Sequence, residues 1–298
     1  MIQGRQSGTQ VHVPVLPTEV IFYLNIITDG IYLDGTVGLG GHASLILDHL
    51  SPKGHFIGTD LDNEALLLCN KRLSGYPTPV SLFHNSYHNF NATLDELGID
   101  QVNGFLLDLG LSSLQMDSHL RGFSYSTDSD LDMRFDSSQE IKASGILNHL
   151  SVNDLANVIF QYGEERRSRA IAKSIVKMRP LTTVFDLVES IRRSTPPNHR
   201  DRTLARVFQA IRIKVNGELE KLENFLSTFR DRLVIGGRVA IISFHSLEDR
   251  LVKHSFKELA KEGVLSILTK KPVIATNEEM AENRRSRSAK LRVAERIS

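Results

Sequence analysis

Three aspartates and a run of glycines carry the first chemical signal in this chain. The stretch Asp34-Gly35-Thr36-Val37-Gly38-Leu39-Gly40-Gly41-His42 is followed by a second acid at Asp60 and a third at Asp108. Glycines let a backbone take positive φ and approach a ligand closely, and a helix starting after them offers unpaired N–H groups. The spacing departs from a clean G-x-G-x-x-G, and a tight turn would account for the glycines alone. Asp60 ends an apolar run, where a carboxylate can accept two hydrogen bonds from ribose hydroxyls. It could equally cap a helix, and enzymes that bind dinucleotides share the feature. Asp34, Asp60 and Asp108 at one rim favour a cationic or hydroxyl-rich ligand and repel a pyrophosphate. S-adenosylmethionine has an ammonium, a sulfonium and a ribose but no phosphate, so it fits better than a nicotinamide dinucleotide.

Those residues need a sheet to hold them. Residues 30–34, 55–60, 80–83 and 104–108 read as strands, and three of the four end in an acid. Helical spacing follows at 42–50, before 73 with Asp62 or Asn63 as its cap, and at 90–97. Alternating units of this kind predict an α/β fold with a parallel, Rossmann-like sheet. From Ser118 to about Asp201 only helical patterns occur, over 152–162, 166–178 and 184–193, punctuated by Pro180, Pro196 and Pro197. A helix over 218–234 closed by Gly236-Gly237, then a strand over 238–244, predict a return to the sheet. The expected organisation is a discontinuous domain of residues 1–117 and 202–298, interrupted by a helical domain over 118–201.

Composition narrows the class. The chain has 298 residues, 41% hydrophobic and 24% charged, with a net charge of +1. No apolar run approaches the roughly 20 residues that span a bilayer, and the first ten are polar, so no membrane is expected and the cytoplasm is the expected location. The single cysteine, Cys69, excludes an internal disulfide and reads as an inert core thiol. His12, His42, His84, His88 and His245 form no zinc pattern, so no metal is expected. Between Arg192 and Lys214 seven Lys or Arg face one acid, and between Ala281 and Ser298 six face two. Two basic blocks on a neutral protein suit a polyanion, or simply two solvated helix faces.

The sequence resembles the bacterial 16S ribosomal RNA (cytosine-N4)-methyltransferase H family. The resemblance is carried in order by His12-Val13-Pro14-Val15-Leu16, Asp29 to Thr36, Gly40-Gly41-His42, Leu107 to Ser113, and Arg121-Gly122-Phe123-Ser124. It continues through Leu131-Asp132-Met133-Arg134, Tyr162-Gly163-Glu164-Glu165, Phe208 to Arg212, Ser243 to Arg250, and Arg287 to Arg292. Leu114 and Arg284 stand where proline is usual, and the stretch between Arg250 and Glu278 looks short. The resemblance implies a class I methyltransferase sheet and a cofactor shell of Gly40, Gly41, His42, Asp60, Tyr87, Asp108 and Gln115. It also implies a partner, 16S rRNA or the small ribosomal subunit at its decoding centre, and a homodimer.

The N4 amine of cytosine is a poor nucleophile because its lone pair is delocalised into the ring. Methylating it calls for acceptors on its N–H groups and an in-line methyl. The loop after the fourth strand supplies the candidates, Asp108 and Ser112, although Asp108 could instead only hold the cofactor. A base inside folded RNA must be turned out to react. Arg134, Arg206, Arg212, His245 and Arg250 are the candidates for the RNA face, with structural ion pairs as the alternative for Arg134 and Arg250. A non-catalytic RNA-binding assembly factor on the same fold is the competing class, and it has no need of Asp60 and Asp108 together.

Overall fold

The computed structural model describes residues 13–111 and 121–298. Ser112 and Gln115 lie outside the described residues. Seven strands form one sheet in the order β3-β2-β1-β4-β5-β7-β6. They are β1 (Ile31–Asp34), β2 (His55–Asp60), β3 (Val80–His84), β4 (Val102–Asp108), β5 (Leu233–Ser243), β6 (Leu265–Ile267) and β7 (Lys290–Arg296). Strands β1 to β5 pair in parallel, and β7 runs antiparallel to both β5 and β6. The fold is therefore a Rossmann-like α/β sheet with an antiparallel strand near one edge. Its order reverses between β1 and β4, the switch point where a crevice opens beyond the carboxyl ends of the strands.

Both faces of the sheet are covered, as continuous apolar runs such as Phe105-Leu106-Leu107 require. On one face pack α1 (Pro17–Leu24), α2 (Gly41–Leu47) and α3 (Asn63–Leu73), which enclose Leu16, Tyr32, Phe56 and Leu291. Asp62 caps α3, accepting from the N–H groups of Glu64 and Ala65. On the other face lie α4 (Phe90–Glu96), α10 (Glu218–Thr228) and α11 (Ser246–Lys261). There Phe90, Phe105, Phe225 and Phe229 form an aromatic cluster with ring centroids 5.1–5.5 Å apart. Offset and edge contacts of this kind add about 0.5–1.5 kcal/mol per pair beyond burial.

The helical body comprises α5 (Ala143–His149), α6 (Val152–Gly163), α7 (Ser168–Lys177), α8 (Val184–Ser194) and α9 (Arg200–Asn216). They share a separate core that runs from Leu131 to Val215. The expected boundary at 201/202 falls inside the first turn of α9, whose Leu204, Val207, Phe208 and Ile211 belong to that core. We place the end of the helical unit at Gly217, where φ of +60° turns the chain back toward the sheet. The helix expected over 218–234 also needs correction. It stops at Thr228, Phe229 to Arg232 form a tighter turn, and Leu233 already pairs with Val102 in the sheet. The helical spacing of Phe229 and Leu233 misled because both are buried for a different reason. Gly236 and Gly237 lie in a bulge of β5 rather than at a helix end.

Candidate functional site

The glycine loop is held between the ends of three strands. The Gly35 N–H donates to the Leu106 carbonyl at 2.9 Å, and the Val37 N–H donates to the Thr59 carbonyl at 3.0 Å. The Thr36 hydroxyl accepts from the Asp108 N–H at 2.6 Å, tying the loop to β4. Gly38 and Gly40 have φ of +50° and +79°, which L side chains rarely adopt. Gly40 also lies so close to α3 that an added Cβ would be 3.0 Å from Cys69 Sγ. Burial, aided by the charges of Asp34 and Asp60, pushes the Cys69 thiol up to about 12, so it stays protonated.

The three aspartates share the edge of the sheet but not one role. Asp34 is 1% exposed and turns under the loop, accepting from the N–H and hydroxyl of Thr36. It does not line the crevice. Burial, against the Thr36 N–H and with Asp108 and Asp60 nearby, pushes its carboxyl up to about 7. Asp60 lines the crevice and braces the loop, accepting from the Gly38 N–H at 2.8 Å and the Asp62 N–H at 2.9 Å. Burial raises it to about 6. Asp108 lines the crevice with its side chain 12% exposed. His42 Nε2 stands 3.8 Å from its Oδ2, while its Oδ1 is buried without a hydrogen-bond partner among the described residues. Burial raises Asp108 to about 6, with Arg285 lowering it and Glu248 raising it further.

The crevice thus gathers Gly35 to Leu39, Gly41, His42, Asp60, Tyr87 and Asp108, whereas Gly40, facing Cys69 of α3, does not line it. Tyr87 forms a side wall, its Cβ against Gly35 and its ring 6.0 Å from that of Phe225. Burial, with Glu248 and Glu218 near, holds its phenol neutral, well above its ordinary value.

The far wall was not legible in the sequence. It consists of Phe135, Asn216, Glu218, Lys221, Glu248 and Arg285. Asn216, the last residue of α9, accepts from the Phe135 N–H at 2.7 Å and donates to the Met133 carbonyl at 2.8 Å. Arg121 joins the same segment to α3, pairing with Asp62 at 2.5 Å and donating to the carbonyls of Arg134 and Phe135. The family stretch Leu131-Asp132-Met133-Arg134 is therefore a clamp that carries Phe135 to the crevice. Arg212 makes two bonds to the Glu218 carboxylate, at 2.9 and 2.8 Å. Burial pushes Glu248 up, but His245, Arg212 and the Phe244 N–H together hold it below its ordinary range.

Two of the five expected RNA contacts are at an open surface. Arg206 and Arg250 line a groove of about 920 Å³ beside the helical body. The other three are engaged within the protein. Arg134 grips Asp132 at 2.7 Å and the carbonyls of Ser137 and Gln139, so its charge is spent within its own turn. Arg212 is consumed by Glu218 at the crevice wall. His245 caps α11, accepting from the Glu248 N–H in a reciprocal capping box, with its side chain 8% exposed. Glu218, His245 and Glu248 are close enough to hold a metal ion. Arg212 already supplies a positive charge there with both its bonds to Glu218, which leaves a cation poorly accommodated.

The profile of the MraW methylase family matches residues 9–297 of this chain. A ribosomal RNA small subunit methyltransferase H from Thermosipho africanus is 50% identical over 290 residues, covering 96% of this chain and 98% of that one. One of the same name from Kosmotoga olearia is 47% identical over 292 residues, covering 96% and 97%. A solved structure described as a putative rRNA-methylase from Clostridium thermocellum is 12% identical with a TM-score of 0.47, covering 96% of this chain and 100% of that one.

Proposed function

The chain belongs to the MraW methylase family, and from that premise we propose that it methylates the N4 amine of a cytosine in 16S rRNA, at the decoding centre of the small ribosomal subunit. Curated relatives named ribosomal RNA small subunit methyltransferase H, matched over nearly their whole length, support the substrate class. The donor is S-adenosylmethionine, which supplies an electrophilic methyl when bound. The crevice fits it. Asp60 keeps lone pairs free for ribose hydroxyls beyond its two backbone bonds. His42 and the loop from Gly38 to Gly41 would hold the methionine part, and Tyr87 would flank the adenine. Lys221 and Arg285 stand among the acids, which suits a donor that carries a carboxylate as well as an ammonium. Ser112, from the loop after β4, is kept as a candidate acceptor for the amine, and Gln115 as the cofactor contact that the resemblance implies.

One observation carries the catalytic reading: the buried Oδ1 of Asp108 at the carboxyl end of β4, which has no hydrogen-bond partner among the described residues. A buried acceptor without a donor costs about 1–3 kcal/mol, a cost accepted where a substrate supplies the missing donor. Ionised Asp108 accepts an N–H of the target amine, opposes delocalisation of the nitrogen lone pair and turns it toward the methyl. As the N–C bond forms, the donor's sulfonium–carbon bond breaks to leave a neutral thioether, and the surplus proton of the amine passes to the Asp108 carboxylate and from there to solvent. Phe135, Asn216 and Glu218 close the other side and exclude water. We further propose that the protein works in the cytoplasm and as a homodimer; sedimentation of the purified chain tests the latter.

The test is transfer of tritiated methyl from labelled S-adenosylmethionine to naked 16S RNA, to small subunits lacking the modification and to DNA. Digestion should place the label in N4-methylcytidine of the RNA. Label in another nucleoside, or no transfer to any RNA, would sink the proposal.

A further inference from the structure

A second concave surface borders another face of α11. Glu248 lines the crevice, whereas Leu247 and Arg250 from the same turn line the groove. Three helix ends meet there: the end of α6 with Phe160, the beginning of α9 with Arg202 and Arg206 four residues apart, and the beginning of α11 with Arg250. Arg166 and Arg167 come from the turn after α6.

The charges in this groove differ in kind. Arg250 pairs with Glu164 at 2.9 Å, and Arg206 lies 3.5 Å from the buried Glu165. Arg166, Arg167 and Arg202 are exposed and make no ion pair among the described residues. Holding unpaired guanidinium groups together is unfavourable unless a polyanion neutralises them. Between these cations stands Phe160, 57% exposed on the outer face of α6. An exposed aromatic ring costs solvation and gains nothing from the core of the helical body. Cations tracking a backbone with an aromatic ring for a base to stack on is how proteins hold single-stranded nucleic acid. An RNA duplex, whose bases are stacked inside, would leave the ring unused.

We infer that this groove binds an unpaired stretch of the RNA substrate, with phosphates on Arg166, Arg167 and Arg202 and one base stacked on Phe160. The inference rests on the proposed activity toward rRNA and deepens it. The strand is held against one face of α11 while its target base reaches Asp108 in the crevice that borders another. Holding the neighbouring nucleotides apart offsets part of the unstacking cost that a turned-out base must meet.

The test measures binding of the full chain to a short mixed-sequence oligoribonucleotide, single-stranded or annealed to its complement, across a range of salt concentrations. The wild type should favour the single strand. Changing Arg166, Arg167 and Arg202 together to Ala should lower the affinity about tenfold or more and flatten the slope of log K against log salt by about 2. Phe160→Ala should weaken binding about five- to tenfold without changing the slope, and Phe160→Tyr should restore it. Affinity for S-adenosylmethionine, measured by calorimetry, serves as the control for folding, because none of these side chains lines the crevice. Equal or better binding of the duplex overturns the inference, as do unaltered affinity and slope in the arginine variant. If the wild type binds no RNA at all, the proposed activity falls with it. If the wild type methylates RNA while the groove variants bind normally, only the groove assignment fails.

Discussion

The crevice and the groove share one turn of α11, and they are built on opposite principles. In the crevice the acids are buried and most of their oxygens are bonded to backbone N–H groups or to arginines. In the groove the arginines are exposed, and three of them have no ion pair among the described residues. Chemistry on a weak nucleophile needs acceptors already in place and shielded from water, so that nothing must reorganise as charge develops. Gripping a polyanion needs the reverse, solvated charges whose counterions are released on binding. Keeping the two on separate faces of one helix lets each have its own dielectric.

The largest effect should come from the crevice. Asp108→Asn keeps the shape but removes the charge and half the acceptor capacity of the carboxylate. The single-turnover methylation rate should fall by about 10²–10³, the scale found when one preorganised electrostatic contact is lost. Affinity for the donor should change by less than about tenfold. A variant that kept the full rate would return Asp108 to a purely binding role. The same residue sets a pH limb. Its carboxyl is raised to about 6 by burial and the ionised form is the active one, so the wild-type rate should be full above that value and decline as pH falls through it. The rate of Asp108→Asn should lack this limb, although Asp60, also near 6, leaves an acid limb in donor affinity.

Asp34 probes burial without chemistry. Its folded value is about 7, above the unfolded value near 3.8. The folded state therefore holds the proton more tightly, and stability falls as pH rises from about 4 through about 7. Asp34→Asn can still accept from Thr36 but carries no buried charge. It should be more stable than the wild type by about 4 kcal/mol at pH 8, with the gap closing near pH 4. Equal denaturation midpoints at both pH values would mean that water reaches this carboxylate.

Much of the crevice was legible in the sequence because its parts are local. Gly38, Gly40, Asp60 and Asp108 sit at strand ends, and a strand followed by a glycine turn is a short-range pattern. Asp62 announced itself as a helix cap for the same reason. Glu218 and Glu248 carried no such mark, since each reaches the crevice only through the return of the chain from the helical body. The arginines illustrate the limit from the other side. Arg134, Arg212 and Arg250 look alike in sequence, yet Arg134 closes a ring with Asp132 and Arg212 is spent on a carboxylate beyond the Gly217 turn. His245 reads as a surface cation until its partner three residues on, Glu248, shows it to be a cap. The antiparallel strand β7 was missed because its core face, with Leu291 and Val293, lies within a basic block that drew attention to charge.

Salt separates the two regions at moderate scale. Raising ionic strength from about 50 to 200 mM should weaken RNA binding by about twentyfold if three phosphates are neutralised, because a single strand contributes a slope of about 0.7 per contact. Donor affinity, set by enclosed groups, should move far less. Parallel loss of both would mean that one surface serves both ligands.

The smallest effect sharpens the division most. Glu164 lies at the end of α6, where its carboxylate accepts from the Ser246 hydroxyl and pairs with Arg250, so it borders the groove and touches the turn shared with the crevice. Those two partners hold its carboxyl below its ordinary range, so it is charged at neutral pH. Glu164→Gln removes one negative charge from the groove and leaves Arg250 free for a phosphate. RNA affinity should rise about two- to fivefold at low salt, and the slope should steepen by about 0.7. Stability should change by no more than about 1 kcal/mol, since the pair is 52% and 44% exposed. The methylation rate at saturating RNA should be unaltered, because the change borders a different face of α11 from the one at the crevice. A drop in that rate with RNA affinity unchanged would mean that the Arg250–Glu164 link positions the α11 turn for the crevice, and that the two surfaces are mechanically one.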